Sequence, residues 1–283
     1  MTILVFGHNG QVATELRRQG GAGVTALGRD AADLRDPAAC AEVVAQTGAH
    51  AVINAAAYTA VDQAEQEEPL AHAINAEAPG AMARACADLG LPFLHVSTDY
   101  VFDGSGTAPW PEDAPTAPLN AYGRTKLAGE AAVRAAGGNA LILRTSWVVS
   151  AHGTNFVKTM LRLSQARDHL RIVADQVGGP TPAADIAATL LKTAHAMADG
   201  HPGGTYHYGG TPEVSWADFA RAIFKATGRT VKVDDIPTSA YPTPAARPLN
   251  SRLDCRKLQA DFGIAPPDWQ RGLHDILTEL GEI

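Results

Sequence analysis

A short apolar run near the N-terminus stops abruptly at Gly7, and this pairing of a strand with a glycine turn constrains the fold more than any other feature. Residues 2–6, Thr-Ile-Leu-Val-Phe, are apolar without alternation, which is typical of a strand covered on both faces of a parallel sheet. Ala-rich segments with helical spacing separate this run from four similar ones. Because parallel strands need crossover helices, the sequence predicts an α/β fold with a Rossmann-like doubly wound parallel sheet. The later runs cover residues 23–27, 51–54, 93–97 and 140–144.

The alternation of strand and helix changes after residue 144. Two further segments with helical spacing alternate with Gly and Pro clusters, which lie at 178–182, 201–204 and 237–248. We therefore expect a dinucleotide-binding Rossmann domain over residues 1–147. A smaller, mixed domain is expected over residues 148–283, with some segments returning to the first domain.

Composition excludes several classes of protein. The chain has 30 acidic and 23 basic residues, a formal net charge of −7 and only 6% aromatic residues, which disfavours a nucleic-acid binder. No leader pattern precedes the first strand, and polar residues interrupt the longest uncharged stretch, so no membrane segment is expected. The three cysteines are far apart and odd in number, which fits a reducing compartment. We expect a cytoplasmic protein without a nucleic-acid or membrane partner.

The turn after the first strand has the context that a dinucleotide fingerprint requires. Gly7 and Gly10 precede a helix, whose N-terminal N–H groups and dipole favour a pyrophosphate. The same pattern also occurs in ordinary turns between a strand and a helix. At the end of the second strand, Arg29 could pair with a ribose phosphate and Asp30 with a ribose hydroxyl. This favours NADPH, with NADH also usable, while solvated loop charges are the alternative.

Tyr122 and Lys126 are four residues apart, which places both on one helix face. A nearby ammonium favours the phenolate and lowers the pKa of a tyrosine, which makes such a pair useful in proton transfer. The fourth apolar run ends at Thr98, where a hydroxyl could donate to a carbonyl oxygen that the tyrosine protonates. A solvated helix face and a turn-capping threonine are the structural alternatives.

Seven motifs follow one another along nearly the whole chain. They are Gly7-x-x-Gly10-Gln11, Asn54 to Asp62, Ser97 to Gly104, Tyr122 to Lys126, Arg144-Thr-Ser-Trp147, Asp175 to Thr181 and Arg247-Pro-x-Asn250-Ser251. Together they resemble the motifs of the dTDP-4-dehydrorhamnose reductases, a family of extended short-chain dehydrogenases/reductases. The resemblance implies NAD(P)H-dependent reduction of the C4 ketone of dTDP-4-dehydro-β-L-rhamnose. This would be the last step of dTDP-rhamnose biosynthesis, and its product, dTDP-L-rhamnose, would be used for cell-surface polysaccharide.

The resemblance also implies roles for residues around the reacting ketone. Tyr122 would be the proton donor, and Lys126 would lower the pKa of Tyr122 and hold the nicotinamide ribose. Thr98 would orient the ketone, Asp99 would contact the sugar, and Trp147 matches the tryptophan that contacts substrate. The second domain would then bind the sugar nucleotide.

The resemblance also implies that three stretches of the chain bind the cofactor. These are the pyrophosphate turn at Gly10, Gln11 and Val12, the adenine-side loop at Asp33 and Leu34, and the segment under the cofactor at Ala57, Tyr58 and Thr59. Two positions depart from the family pattern, with Ala13 in place of glycine and Val96 in place of a tyrosine beside the nicotinamide. Some relatives use a magnesium ion at a homodimer contact, where Glu15 could serve. We predict no metal, since a lone glutamate is more often solvated.

The charge distribution suggests where an anionic substrate binds. Residues 144–181 carry five basic residues against two acidic ones, and residues 241–257 carry four against one. We expect these two segments to line the site for the pyrophosphate and thymidine groups, with Arg247 the main phosphate ligand because guanidinium pairs bidentately with phosphate. Solvated loop charges are the alternative.

Two other functions are compatible with this fold. A sugar-nucleotide dehydratase or epimerase would share it, but related dehydratases carry Thr-Asp-Glu where this chain has Tyr100 after Asp99. A non-catalytic regulatory subunit would be expected to lack the Tyr122, Lys126 and Thr98 set. Most of the ten histidines, including His72, His95 and His195, are predicted to be surface or core groups rather than catalysts.

Overall fold

The computed structural model describes all residues from Met1 to Ile283 and contains thirteen strands and eleven α-helices. The strands are β1 (Ile3–Phe6), β2 (Val24–Leu27), β3 (Ala51–Asn54), β4 (Phe93–Thr98), β5 (Ala140–Thr145), β6 (Val148–Val149), β7 (His169–Val173), β8 (Val177–Gly178), β9 (Thr181–Pro182), β10 (Gly204–Tyr208), β11 (Val214–Ser215), β12 (Lys232–Ile236) and β13 (Asn250–Ser251). The helices are α1 (Gln11–Gly20), α2 (Pro37–Ala45), α3 (Val61–Ala64), α4 (Glu68–His72), α5 (Ala78–Leu89), α6 (Ala121–Ala135), α7 (Phe156–Ser164), α8 (Ala183–Ala198), α9 (Trp216–Ala226), α10 (Arg256–Phe262) and α11 (Trp269–Glu279).

Six parallel strands form the main sheet in the order β10-β5-β4-β3-β1-β2. The chain runs outward from β1 to β2 and then returns to the other side of β1 at β3, so the order reverses between β1 and β3. Ligands of such sheets bind in the crevice at the carboxyl ends of the strands where this reversal occurs. The predicted doubly wound parallel sheet is confirmed.

Helices cover both faces of this sheet, as the uninterrupted apolar strands require. On one face α1 and α8 bury residues such as Leu16 and Leu190, and on the other α2 and α5 bury Val44 and Met82. Cys40 and Cys86 pack within the second layer as free thiols, and burial raises the pKa of Cys40 to about 11. None of the helices combines the length and apolar character needed to cross a bilayer.

The C-terminal half adds a second core and three small sheets. Helices α7, α9 and α11 enclose an aromatic core that includes Phe219 and Trp269, beside the parallel pair β7–β12. Strand β10 instead joins the main sheet at its edge, where residues 204–208 pair in parallel with residues 141–145. The domain boundary near residue 147 remains a prediction. Strand β10 and helix α8 are two of the C-terminal segments that pack with the first half.

Candidate active site

The glycine turn after β1 leaves the start of α1 open. Gly7 has φ 117°, and a Cβ there would lie 3.3 Å from the backbone carbon of Ala55, so a side chain would be strained and crowded. Gly10 precedes α1 without a side-chain cap, and a Cβ there would meet nothing within 4 Å. Gly10, Gln11 and Val12 line a cleft at the start of this ten-residue helix, and such a position suits an anionic group because the first N–H groups of a helix have no partner within it. Ala13 is buried against Gly7, so the extra methyl group is accommodated.

Two adjoining clefts continue from this turn past the end of β2. The outer cleft, of about 780 Å³, is lined by Arg29, Asp33 and Arg35, and the next, of about 460 Å³, by Leu34, Ala57 and Tyr58. Arg35 binds Asp33 with both its Nε and Nη2 atoms, which lowers the pKa of that carboxyl. Arg29 is exposed and makes no hydrogen bond or ion pair. Its guanidinium is therefore free to meet an anion.

Strand β4 delivers Thr98 and Asp99 to the carboxyl edge of the sheet. The Thr98 Oγ1 accepts from the backbone N–H of Tyr100 at 3.2 Å and donates to Asp99 Oδ1 at 3.1 Å. Asp99 is buried, and its Oδ2 has no hydrogen-bond partner. Burial raises the pKa of Asp99 to about 6, against the lowering effect of the neighbouring hydroxyls. A buried carboxylate oxygen without a partner at a cleft is a strong acceptor for a ligand hydroxyl.

Helix α6 brings Tyr122 and Lys126 over the same edge. Asn120 caps the helix, with its Oδ1 accepting from the N–H of Gly123 at 2.8 Å. Gly123 allows close contact with the end of β4, since a Cβ there would lie 2.3 Å from the carbonyl oxygen of Tyr100. Tyr122 consequently lies beside Tyr100, with ring centroids 5.5 Å apart in an edge-on arrangement.

The pKa of Tyr122 moves in the opposite direction from the one that the sequence predicts. Burial is the main cause, and the Asp99 carboxylate adds to it, so the pKa rises to about 12, although the Thr98 hydroxyl lowers it. The hydrogen bonds of the Lys126 amine go to the carbonyl oxygen of Val96 at 2.7 Å and to His95 Nε2 at 3.2 Å. Tyr122 is therefore a protonated phenol at neutral pH.

Lys126 is itself almost completely buried, which lowers its pKa to about 8, while Glu130 acts in the opposite direction. His95 below it is also fully buried and contacts Asn54, with 3.2 Å between His95 Nδ1 and Asn54 Nδ2. The sequence predicts only a structural role for His95 and does not single out the Asn54 side chain. The pairing register of β3 and β4 could have predicted the contact between Asn54 and His95, because the two residues lie side by side on these neighbouring strands.

Trp147 follows β5 with φ 48°, which is uncommon for a residue other than glycine. Its ring stacks on Trp216, with centroids 3.5 Å apart and planes 11° from parallel. This stack compensates for an unfavourable backbone conformation, which costs about 1–3 kcal/mol at such positions. The strained turn directs an aromatic surface to the cleft.

A single cleft of about 640 Å³ contains most of the predicted site residues. Those that line it are Gly7, Gly10, Gln11, Val12, Ala57, Thr59, Thr98, Asp99, Tyr122, Lys126 and Trp147. Tyr58, Arg29, Asp33 and Leu34 line the adjoining clefts instead. The structure thus brings the glycine turn and the Tyr122, Lys126 and Thr98 set into one space.

Arg247 lies at a different position from the other predicted residues. Its Nη1 and Nη2 bind the two carboxylate oxygens of Asp62 at 2.7 and 2.8 Å, and Nη1 also donates to the carbonyl of Ala245. Arg247 is partly buried, and Asp62 belongs to α3, which begins beside the cleft at Val61. A guanidinium near the cleft is therefore present, but an internal carboxylate already engages it.

Several other basic residues of the two basic segments are also engaged. Arg144 is buried against Glu130 and cannot line the predicted pyrophosphate site. Arg252 pairs with Glu213, and Arg256 with Asp254, around a further cleft of about 710 Å³. The expectation that the basic segments as a whole line the phosphate site is wrong for Arg144.

Glu15 is buried rather than solvated. Its carboxylate accepts hydrogen bonds from Arg18, Gln19 and His152, and Glu279 lies beyond His152 at 3.7 Å. One ligand atom each from Glu15, His152 and Glu279 falls within 4.8 Å of the others. The hydrogen bonds to Glu15 account for its lowered pKa despite burial.

Comparison with known proteins identifies a matching family and several similar proteins. A family model described as the RmlD substrate binding domain matches residues 1–282. The chain is similar to a dTDP-4-dehydrorhamnose reductase of Sinorhizobium fredii, with 44% identity over 289 residues that cover 99% of this chain and 98% of that protein. It is also similar to the reductase of Escherichia coli K12, with 42% identity over 299 residues covering 99% of this chain and 98% of that protein.

Solved structures agree with the sequence comparison. The dTDP-4-dehydrorhamnose reductase of Clostridium acetobutylicum superposes with a TM-score of 0.94 at 37% identity, covering 99% of this chain and 100% of that one. The Bacillus anthracis reductase, solved in complex with NADP, gives a TM-score of 0.92 at 35% identity with the same coverage. The likeness extends over both the glycine turn and the C-terminal segments.

Proposed function

The chain belongs to the family described as the RmlD substrate binding domain, and from this premise we propose that it catalyses the reaction of a dTDP-4-dehydrorhamnose reductase. It reduces the C4 ketone of dTDP-4-dehydro-β-L-rhamnose to dTDP-L-rhamnose with a nicotinamide dinucleotide. The observation that carries the proposal is the single cleft of about 640 Å³ that Tyr122, Lys126 and Thr98 share with the glycine turn. Relatives with this name match the chain from end to end.

The residues present fit a dinucleotide. Gly10, Gln11 and Val12 offer open N–H groups to a pyrophosphate, and the crowded positive-φ Gly7 allows close approach of the backbone. Ala57 and Thr59 would lie under the cofactor, and Lys126 would bind the nicotinamide ribose. When bound, the reduced nicotinamide supplies the hydride.

Protein groups supply the proton and hold the sugar. Tyr122 is protonated at neutral pH, because its pKa is about 12, and donates its proton to the C4 oxygen as the alkoxide develops. Thr98 donates a hydrogen bond to the same oxygen in place of its bond to Asp99. The unpartnered Oδ2 of Asp99 accepts from a sugar hydroxyl, and the ring of Trp147 covers an apolar face of the sugar. We also propose a cytoplasmic location and a homodimer, with the nucleotide sugar as the substrate and without a nucleic-acid or membrane partner.

The decisive experiment compares substrates. NADPH and NADH oxidation is followed with freshly generated dTDP-4-keto sugar, and with UDP- and GDP-linked keto sugars as matched controls. Oxidation that depends on the dTDP-linked ketone is expected, with dTDP-L-rhamnose as product. Turnover of UDP- or GDP-sugars at the same kcat/KM would contradict the assignment of the nucleotide.

Arg29→Ala is expected to raise KM for NADPH about tenfold or more and to leave KM for NADH nearly unchanged. The guanidinium of Arg29 is free and lines the outer cleft, where a ribose phosphate would add charge that NADH lacks. Steady-state kinetics with each cofactor measures the ratio of KM for NADPH to KM for NADH in the variant and in the wild type. Arg35→Ala is the control, because Asp33 already pairs with Arg35. Equal losses with NADPH and NADH would exclude a role for Arg29 in phosphate recognition.

Arg247→Ala is expected to raise KM for the dTDP-sugar by about 10- to 100-fold, since a hydrogen bond to a charged group contributes about 1.5–3 kcal/mol. Asp62→Asn is the matched control, because it removes the charge that Arg247 now binds but leaves Arg247 in place. If Arg247 binds phosphate, Asp62→Asn lowers KM or leaves it unchanged. If the ion pair between Arg247 and Asp62 only stabilises the local structure, both variants raise KM by similar factors.

A further inference from the structure

Trp216 lies behind Trp147, the indole that lines the cleft, and does not line the cleft itself. The two indole rings are stacked, with centroids 3.5 Å apart and planes 11° from parallel. One face of the Trp147 ring is therefore covered by protein, and only the opposite face is left for a ligand of the cleft. Whatever fixes the position of Trp216 thus also fixes the surface that Trp147 presents.

The position of Trp216 is fixed by the start of α9 and by the aromatic core of the C-terminal half. Trp216 is the first residue of α9, and the side chain of the preceding Ser215 caps this helix. The Trp216 ring also contacts the ring of Phe156 in α7, with centroids 4.5 Å apart and planes tilted by 43°. Phe156 in turn contacts Phe219 of the core. The Trp147 ring is thereby connected to a packed layer that lies outside the cleft.

The backbone of Trp147 does not by itself favour this position of the ring. Trp147 has φ 48°, and no other residue besides glycine has a positive φ in this chain. Because this left-handed conformation is unfavourable for a residue with a side chain, contacts of Trp147 must maintain it. Gly178 leaves space for the ring edge, since a Cβ there would be 3.0 Å from Trp147 Cε2. The stack on Trp216 supports the ring face itself.

We propose that Trp216 is a positioning residue for the sugar: it holds Trp147 in the left-handed conformation that turns the free face of its indole to the cleft. The residues that fit the cofactor belong to other elements, namely the glycine turn before α1 and Lys126 of α6. Loss of the stack should therefore weaken binding of the sugar without weakening binding of the cofactor. The kinetic consequence rests on the proposed reductase function, whereas the conformation of Trp147 does not.

Trp216→Leu is expected to raise KM for the dTDP-4-keto sugar and to leave the Kd for NADPH unchanged. When only a fraction of the molecules has the conformation that binds, the apparent Kd rises by the inverse of that fraction. If about one molecule in ten keeps the present conformation of Trp147, KM rises about tenfold. The value of kcat should change much less, because saturating sugar selects the conformation that binds. Steady-state kinetics and a fluorescence titration with NADPH measure these quantities.

Trp269→Leu is the matched control. Trp269 belongs to the same aromatic core and its ring contacts Phe219, with centroids 5.3 Å apart, but it does not line the cleft or stack on Trp147. We expect this variant to lose stability, because it removes a buried indole, without a change in KM for the sugar. An equal rise of KM in both variants would assign the effect to a loosened core and would overturn the proposal. An unchanged KM in Trp216→Leu would also overturn it.

A crystal structure of Trp216→Leu without ligands reads the conformation of Trp147 directly. The expected result is that φ of Trp147 leaves the left-handed region, or that its ring occupies more than one position. A ring that keeps its present position with a positive φ would overturn the proposal. Absence of keto-sugar reduction by the wild-type protein would instead contradict the proposed function, and the crystal structure would still decide whether Trp216 holds Trp147.

Trp216→Phe keeps the proposal testable if Trp216→Leu does not fold. The single ring of phenylalanine still stacks on Trp147 but covers less of the indole, so KM for the sugar is expected to rise by a smaller factor than in Trp216→Leu. The Kd for NADPH should again stay the same. An unchanged KM for the sugar in Trp216→Phe would overturn the proposal on its own.

Discussion

Tyr122→Phe is expected to lower kcat for the keto sugar by about 10²–10⁴-fold, the usual contribution of a positioned general acid. The variant keeps the ring that packs beside Tyr100 and removes only the hydroxyl. The Kd for NADPH should change little, because the glycine turn and Lys126 remain in place. Stopped-flow oxidation of NADPH and a separate fluorescence titration distinguish the chemical step from cofactor binding.

Tyr206→Phe is the matched control. It also removes a buried phenol hydroxyl, one that donates to Asp261 at 2.9 Å, but it lies on β10 outside the cleft. A loss of stability of about 1 kcal/mol is expected there, without a change in kcat. Full activity in Tyr122→Phe would show that another group donates the proton.

Glu130→Ala is expected to destabilise the fold by about 3–5 kcal/mol, because it leaves a buried charge without its partner. Both carboxylate oxygens of Glu130 bind Arg144, at 2.8 and 2.7 Å, and Ser97 donates to one of them at 2.6 Å. The side chains of Arg144 and Glu130 are 3% and 0% exposed. Equilibrium unfolding in urea, read as a shift of the midpoint, measures the loss.

The pH dependence of this contribution has a definite sign. Although burial acts in the opposite direction, the hydrogen bonds and charge of Arg144 lower the pKa of Glu130 in the folded protein. Its stabilising effect is therefore fully present above the ordinary pKa of glutamate and is lost as the pH falls below it. Glu68→Ala is the control, since its ion pair with Arg124 is exposed and such pairs contribute about 0–1 kcal/mol. A loss of less than about 1 kcal/mol in Glu130→Ala would contradict the expected role of the pair.

Much of the main sheet could be predicted from local patterns, because a strand buried on both faces must be apolar throughout. Five of its six strands correspond to the five apolar runs of the first half. Strand β10 was missed because its sequence, Gly-Thr-Tyr-His-Tyr, follows a Gly and Pro cluster and carries no uninterrupted apolar run. Its place at the edge depends on pairing with β5, more than fifty residues earlier, and no local signal encodes that pairing.

The candidate site likewise has features that the sequence predicts and features that it does not. Thr98, Tyr122 and Lys126 could be proposed together because parallel strands end at one edge and residues four apart share a helix face. The direction of the pKa of Tyr122 could not be predicted, since burial and the Asp99 carboxylate determine it. The engagement of Arg247 by Asp62 was equally hidden, because the two residues are 185 positions apart.

Strand β10 and helix α8 also determine how this chain can be divided. A fragment ending at residue 147 would leave β5 as an unpaired edge with buried leucines such as Leu141 and Leu143. It would also lose the layer in which Ile186 and Leu190 of α8 cover one face of the sheet. The N-terminal half is therefore completed by sequence that lies after residue 147, and the two halves should fold and unfold as one cooperative unit.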